Sequence, residues 1–204
     1  WAYQSFFDEV ALAGERDQLE FRLDLLSRSY GKPPLNLKRT SDTLALAASE
    51  AGWGQRELGA DRGMGMAFHF DHGGFVSHVA EVVADGPNIK VEKVFSGIDV
   101  GPILNLSGAR NQVEGAVVDA LSTAQLEITF ANGAAQQSNF SDYELLRINQ
   151  APEVESHFIQ SDNSPSGLGE PPIAAATPAI ANAIFAATGK RIRELPFSRS
   201  GIVV

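Results

Sequence analysis

Residues 63–84 have the sequence GMGMAFHFDHGGFVSHVAEVVA, and this stretch decides the fold class. Residues 64–71 and 75–84 are extended runs that contain the aromatic and β-branched residues typical of strands. His72-Gly73-Gly74 joins the two runs and has the composition of a tight turn. The stretch therefore predicts a β-hairpin, and it marks the point where the apolar period changes from that of helices to that of strands.

Upstream of the hairpin the apolar residues follow a helical period. They predict a first helix over residues 4–13 and a second helix that begins after Asp17, a typical N-cap residue, and ends before a turn at Pro33-Pro34. A third helix is predicted from residue 41 or 42 to about residue 51. We therefore predict a helical segment over residues 1–59.

Downstream of the hairpin the sequence predicts further strands and helices. The predicted elements are a strand at 90–99, a helix from about 109 to 124, a strand at 126–130, a hairpin turn at Asn132-Gly133, strands at 143–148 and 154–160, a loop at 161–169 and a helix at 171–187. This composition of elements is typical of the α+β class. We predict an α+β region, with a mixed sheet and packed helices, over residues 60–204.

Charge and composition exclude several classes of function. The chain has 16 basic and 25 acidic residues and a formal net charge of −9, the wrong sign for a surface that binds nucleic acid. It has no cysteine, so the chain itself cannot ligate an iron–sulfur cluster, and redox chemistry would need an external cofactor. The first residue is Trp1 rather than Met, which predicts that the chain is a piece of a longer polypeptide.

Two features of the hairpin have both a structural and a ligand-binding interpretation. Residues 63–65 resemble a nucleotide-binding glycine loop, but a third glycine is missing and a strand follows, so close backbone packing is favoured. A hairpin turned at Gly73-Gly74 is predicted to place His69 opposite His78, with Asp71 and His72 near the turn. A protein that binds metal at this hairpin is therefore a third and weaker hypothesis. The spacing fixes no third ligand, and no residue is assigned to a metal.

The sequence GLGEPP at residues 167–172 has two interpretations. Prolines favour the first positions of a helix, which places Glu170 at the N-terminal end of an apolar helix. The carboxylate then either complements the helix dipole, or it is held on a glycine loop as a general base beside a ligand. Gln112, near the start of an earlier helix, either contacts a polar cofactor edge or is solvated.

The segments at 99–105, 112–115 and 167–172 resemble, in this order, the large molybdenum-binding subunit of the xanthine oxidase family of molybdenum hydroxylases. Further matching segments lie at 4–11, 137–143, 178–184 and 195–196. The match looks closest to the branch that contains the isoquinoline 1-oxidoreductase beta subunit and molybdenum-dependent aldehyde dehydrogenases. The family's large subunit is several times longer, so the chain resembles its C-terminal part, either excised or encoded as one polypeptide of a split subunit.

The resemblance implies a role for three residues. Glu170 matches the family's catalytic glutamate, the base that takes a proton from the oxygen nucleophile that attacks an electrophilic C–H carbon. Gln112 matches the glutamine of the family's Gln-x-Glu-Gly motif, which contacts the pterin cofactor. Gly169 matches the glycine whose backbone lies beside the metal.

The resemblance also implies cofactors, partners and a reaction. The cofactor is molybdopterin, in its cytosine dinucleotide form, and iron–sulfur clusters are carried by a small [2Fe-2S] partner subunit. Other implied partners are the remainder of the large subunit and a cytochrome acceptor, in the periplasm or cytoplasm of a bacterium. The implied reaction hydroxylates an N-heterocycle or oxidises an aldehyde with water as the oxygen source. The alternative is a non-catalytic α+β binding or assembly module.

Overall fold

The computed structural model describes residues 1–28 and 35–204 of the chain. Its helices and strands, in chain order, are α1 (Ala2–Ala13), α2 (Gln18–Ser27), α3 (Leu37–Ala51), β1 (Arg62–Asp71), β2 (Gly74–Asp85), β3 (Asn88–Asp99), α4 (Leu106–Thr123), β4 (Phe130–Ala131), β5 (Ala134–Ala135), β6 (Glu153–Phe158), α5 (Pro171–Thr188) and a short 3₁₀ helix (Phe197–Ser200). No helix among the described residues combines the length and the apolar composition needed to cross a membrane.

The main sheet has four strands in the order β1-β2-β3-β6. The first three strands are antiparallel neighbours, and β6 pairs with β3 in the parallel direction. β4 and β5 form a separate two-residue hairpin around Asn132-Gly133. The predicted α+β class with a mixed sheet is therefore confirmed, together with the hairpin at 63–84 and the turn at Asn132-Gly133.

Helices cover both faces of the main sheet. α3 packs on the face that contains Met64, Met66 and Phe95. α5, with α4 beside it, packs on the opposite face, where Ala67 and Val94 point. Alternate residues of each strand thus enter different cores, as the two-residue period of a strand requires.

α5 lies directly on the backbone of β1. A Cβ atom added to Gly65 would lie 2.1 Å from the Ala183 amide nitrogen, and one added to Gly63 would lie 2.3 Å from the Ala183 carbonyl oxygen. No side chain larger than hydrogen fits between strand and helix at these positions. The interpretation of residues 63–65 as a close backbone approach is therefore confirmed.

The predicted starts of α3 and α4 are wrong by several residues, because asparagine side chains cap both helices earlier. Asn36 accepts a hydrogen bond from a backbone amide of the first turn (3.2 Å), and α3 begins at Leu37. Asn105 does the same for α4 (2.9 Å), which begins at Leu106 rather than near residue 109.

Two predicted strands are wrong. Of residues 126–130 only Phe130 is in a strand, and residues 143–148 form none. The Leu146 amide donates a hydrogen bond to Ser122 Oγ of α4 (3.2 Å) instead of joining a sheet. A strand needs a neighbouring strand to pair with, and a sequence pattern does not show whether one is available. Here β6 occupies the sheet position beside β3.

Two predictions remain untested. The turn at Pro33-Pro34 lies outside the described residues, although the helix before it ends, as predicted, short of that turn. The division of the chain into residues 1–59 and 60–204 stays a prediction. The structure does show that α3 of the first segment contacts β2 and β3 of the second.

The glycine contact with α5 predicts a large effect of a single methyl group. We expect Gly65→Ala to lower the free energy of unfolding by at least about 1–3 kcal/mol, because strand and helix must separate to admit it. Gly115→Ala on α4 is the matched control, since nothing lies within 4 Å of an added Cβ there. That variant should gain stability by roughly 0.5–1 kcal/mol. Chemical denaturation of both variants is the measurement, and equal stabilities would contradict the packing described.

Candidate functional site

The three residues singled out in the sequence lie at one end of the main sheet. Glu170 immediately precedes α5, and Gly169 precedes Glu170. Gln112 is exposed on α4, and its Oε1 atom lies 3.6 Å from the point where a Cβ of Gly169 would be. The structure therefore brings together Gln112 and Gly169, which lie in separate segments of the sequence.

The Glu170 carboxylate is not used to cap the helix that it precedes. It occupies the N-cap position of α5 but makes no hydrogen bond to a backbone amide of the first turn, and prolines occupy the first positions of α5. Its side chain is 71% exposed, and Oε2 lies 3.2 Å from His72 Nε2 in the β1–β2 turn. The carboxylate therefore makes no capping hydrogen bond, whereas its charge at this position is still suited to complement the helix dipole.

The loop before Glu170 leaves its backbone accessible. Among the described residues, nothing lies within 4 Å of a Cβ added to Gly167, and at Gly169 only Gln112 comes within that distance. A ligand with polar edges can approach the backbone here, with the Gln112 amide beside it as both donor and acceptor.

A buried ion pair fixes this end of the sheet. Arg39 of α3 donates from Nε to Asp99 Oδ2 at the end of β3 (2.6 Å) and from Nη1 to the Gly73 carbonyl in the β1–β2 turn (3.1 Å). Asp99 also accepts hydrogen bonds from Ser161 Oγ (2.7 Å) and Asn163 Nδ2 (3.2 Å). The pair thus joins the turn that carries His72 to the loop that leads to Glu170.

Burial opposes ionisation of the Asp99 carboxyl, but hydrogen bonds outweigh it. The donors are Arg39, Ser161 and the Gly101 amide, and together they lower the pKa of Asp99 below its usual value. The carboxylate is therefore ionised at neutral pH, where it accepts all of these bonds at once.

Gly101 allows the loop to lie against the end of β3. Its φ is +75°, and a Cβ added there would lie 2.6 Å from the Asn163 carbonyl oxygen. Further along the loop, the Ser166 amide donates a hydrogen bond to the Val100 carbonyl (3.0 Å). Residues 163–166 therefore lie against Val100 and Gly101, the two residues that follow β3.

His78 anchors the first turn of α5 from below. It is fully buried, its Nε2–H donates to the Pro172 carbonyl (3.0 Å), and Nδ1 accepts from Ser96 Oγ (2.9 Å). Burial lowers the pKa of the His78 imidazole to about 4, although the hydrogen bond with the Pro172 carbonyl opposes this. His78 is thus a neutral structural residue that binds the backbone two positions after Glu170.

The predicted opposition of His69 and His78 is wrong. The turn residues are His72 and Gly73, so His69 pairs with Val76 and His78 pairs with Ala67. The prediction had placed the turn one residue later, and His69 and His78 consequently do not face each other.

Three other side chains meet at the turn. One ligand atom each from Asp71, His72 and Glu170 lies within 4.8 Å of the others, and all three residues are exposed. Sequence reasoning missed this contact between His72 and Glu170, because they are 98 positions apart. It also missed Arg39, because nothing in the sequence of α3 indicates that this side chain binds Asp99.

An apolar cleft of about 490 Å³ lies beside the site. Its walls come from α1, α2, β1 and the first turn of α5, and they include Tyr3, Phe7, Phe68, Phe70 and Ala174. Ala174 lies about one helical turn after Glu170. The cleft thus reaches the first turn of α5, although Glu170 itself does not line it.

Comparison with known proteins assigns the chain to a protein family. Residues 27–152 match the family model of the molybdopterin cofactor-binding domain. This range includes Gln112 but ends before Gly169 and Glu170. Among similar proteins, the membrane-bound aldehyde dehydrogenase [pyrroloquinoline-quinone] of Gluconacetobacter polyoxogenes is 34% identical over 96% of this chain and 27% of its own length.

A second similar sequence and a solved structure are consistent with the family match. The isoquinoline 1-oxidoreductase subunit beta of Brevundimonas diminuta is 30% identical over 96% of this chain and 25% of its own length. The structure of the reconstituted CO dehydrogenase from Oligotropha carboxidovorans has the same fold over 63% of this chain, with a TM-score of 0.54 and 19% identity, and the match covers 18% of that chain. The chain thus spans about a quarter of the length of the two relatives that it matches in sequence.

The buried His78 predicts a pH dependence of stability. A histidine in an unfolded chain titrates near pH 6.5, whereas the folded value is about 4, so the unfolded state binds the proton more readily between these values. We expect stability to be constant above about pH 7 and to fall, by up to about 1.4 kcal/mol per pH unit, as the pH drops from about 6.5 to about 4. Denaturation curves across this range for the wild type and His78→Gln are the measurement. The variant should lose most of this slope, and an unchanged slope would contradict the assignment.

The Arg39–Asp99 pair predicts a loss of stability in Asp99→Asn. We expect about 1–3 kcal/mol at pH 7, because the amide cannot accept every bond that the carboxylate accepts. The native pKa is lowered, so the difference between variant and wild type should shrink as the pH falls below the unfolded value of about 3.9 and through the native value. Asp42→Asn is the control, since Asp42 forms an exposed pair with Lys38 on α3 and its substitution should be nearly neutral. A loss in the control equal to that in Asp99→Asn would refute the special role of the buried pair.

Proposed function

The chain belongs to the molybdopterin cofactor-binding domain family, and on this premise we propose that it is the C-terminal part of the molybdopterin-binding subunit of an oxidoreductase. The enzyme hydroxylates an N-heterocycle or oxidises an aldehyde, with water as the oxygen source. One observation carries the proposal: Gln112, Gly169 and Glu170 lie together on one accessible edge of the fold, and the Glu170 carboxylate makes no hydrogen bond to its own helix.

The residues present fit a polar cofactor. The open backbone at Gly167 and Gly169 admits close approach, and the exposed Gln112 amide offers a donor and an acceptor beside it. Gln112 and the Gly169 backbone would hold the molybdenum cofactor at this edge. When bound, the cofactor supplies the two-electron redox chemistry that the side chains of this chain lack.

Glu170 supplies the base. The net reaction adds the oxygen of water to a carbon that loses its hydrogen, and it releases two electrons and two protons. A carboxylate at the site takes one of these protons from the attacking oxygen, which makes that oxygen a stronger nucleophile. The exposed position of Glu170 on a glycine loop lets its oxygen atoms reach a ligand, and the nearby apolar cleft suits the apolar part of a substrate.

The remaining cofactors and partners are part of the proposal. The pterin is the cytosine dinucleotide form, and electrons leave through a small [2Fe-2S] subunit to a cytochrome, since this chain has no cysteine to ligate a cluster. The remainder of the large subunit covers the site. Apolar side chains at the start of α4 support such a partner, because Leu104 is 102% exposed and Leu106 is 46% exposed. The compartment, periplasm or cytoplasm, stays a prediction.

The decisive test is Glu170→Gln in the intact enzyme that contains this chain. Glutamine keeps the volume and reach of glutamate but cannot take the proton, so turnover should fall by about 10²–10⁴-fold. Molybdenum and pterin content and the thermal midpoint should be unchanged. Glu20→Gln is the matched control, because Glu20 is an exposed carboxylate in the first turn of α2.

Three results would overturn the proposal. Near-wild-type reduction of the metal centre by substrate in Glu170→Gln, at full molybdenum content, would show that Glu170 is only a carboxylate at a helix start. An intact enzyme that holds pyrroloquinoline quinone and no molybdenum would show that the cofactor is different. A protein with neither cofactor would be a non-catalytic binding module.

A further inference from the structure

We propose that the outward side of α1 is a docking surface for the remainder of the large subunit, an inference that rests on the proposed function. We call this surface the α1 apolar face, and it consists of Tyr3, Phe6, Val10 and Ala13. The polypeptide that docks on it also covers the apolar cleft beside the candidate site.

The buried side of α1 is mainly polar. Its buried residues are Gln4, Ser5, Asp8 and Ala11, and only the last of these is apolar. A surface helix normally turns its apolar side to the core and its polar side to solvent. The orientation of α1 is the reverse, so its large apolar side chains are left for another surface.

The opposite side of α1 exposes those apolar side chains. Tyr3 is 75% exposed, Phe6 is 61% exposed and Val10 is 37% exposed. Their spacing of three and four residues places them on one face of the helix, and Ala13 continues that face. Single exposed apolar residues are ordinary on a protein surface, whereas a contiguous row is typical of an interaction site.

Ion pairs hold α1 in this orientation. Arg191, which follows α5, donates from Nη1 to Asp8 Oδ2 (2.9 Å), and the buried Arg22 of α2 lies 3.9 Å from Asp8 Oδ1. Arg193 donates two hydrogen bonds to the Glu9 carboxylate, both of 2.8 Å. A rotation of α1 that buried its aromatic residues would break these pairs and leave buried charges without partners, which is costly. The fold therefore fixes the α1 apolar face outward.

Two observations favour the remainder of the large subunit as the partner. The two sequence relatives match 96% of this chain, but about three quarters of each relative lies outside the match. The α1 apolar face is also continuous with the apolar cleft, because Tyr3 lines the cleft and the cleft reaches Ala174 in the first turn of α5. A segment that closes the cleft beside Glu170 therefore also reaches α1.

Charge disfavours two other partners. Helices that lie on a lipid surface carry Lys and Arg on their polar side, whereas the charged residues of α1 are Asp8 and Glu9. A second copy of the chain would bring a further net charge of −9 to the interface, so two copies repel each other. A lipid surface and a second copy are thus less suited to this face than another part of the same enzyme.

The first test is photo-crosslinking in the intact enzyme that contains this chain. Phe6→p-benzoylphenylalanine places a light-activated group in the α1 apolar face, and mass spectrometry identifies the peptide that is joined to it. We expect a peptide of the large subunit from outside these 204 residues. Lys90→p-benzoylphenylalanine is the control, because the Lys90 side chain is 77% exposed on β3, and it should not crosslink to the same peptide.

The second test compares Phe6→Asp with Phe140→Asp in the intact enzyme. Phe140 is 84% exposed and lies outside the α1 apolar face, so both variants exchange an exposed aromatic ring of this chain for a carboxylate. Phe6→Asp should lower the thermal midpoint by at least about 2–4 °C, because it places an unpaired charge in an apolar contact. Phe140→Asp should leave the midpoint unchanged.

Each result decides the matter. A crosslink from position 6 to a second copy of this chain, to a small iron–sulfur subunit or to lipid would overturn the inference, and so would the absence of a crosslink. Equal midpoints of Phe6→Asp and Phe140→Asp would also overturn it, even if Glu170→Gln abolishes turnover. Full turnover in Glu170→Gln would instead refute the proposed function, and the crosslink would still identify the polypeptide that covers α1.

Discussion

The backbone of α5 rests on the backbone of β1 because Gly63 and Gly65 have no side chains to hold it away. This contact sets the depth of α5 on the sheet and the position of its first turn. The carbonyl of that turn is then within reach of the buried His78. Glu170 precedes this turn, so its location follows from a packing contact at the other end of the same helix.

The opposite face of the sheet has a similar close contact. A Cβ added to Gly97 of β3 would lie 2.1 Å from the Thr43 carbonyl oxygen of α3. This brings Arg39, about one helical turn earlier in α3, to the end of β3, where Asp99 accepts its hydrogen bond. Helices on both faces thus hold the same end of the sheet. A rigid frame of this kind can carry a reactive carboxylate on a short glycine loop, because the two ends of the loop are fixed.

The candidate site is built from an edge rather than from an enclosed pocket. Glu170 and His72 have side chains that are 71% and 64% exposed, and the apolar side chain of Leu104 lies fully in solvent. An exposed carboxylate is a weak base in water, and it becomes a stronger base when water is excluded from it. This edge therefore suits a surface that is completed by further protein and by a cofactor. The chain spans only about a quarter of the length of its two sequence relatives, which agrees with that view.

The sequence by itself determined the local structure and the candidate residues. The β1–β2 hairpin and the start of α5 at Pro171 follow from short-range backbone preferences, and Gly63 and Gly65 marked a position of close backbone approach without its partner. Tertiary structure alone decided the partners. Residues 143–148 have a strand pattern but no strand to join, and His72 meets a carboxylate 98 positions away. The physical reason is that hydrogen bonds between distant segments depend on how helices and sheet pack, and no local pattern records that arrangement.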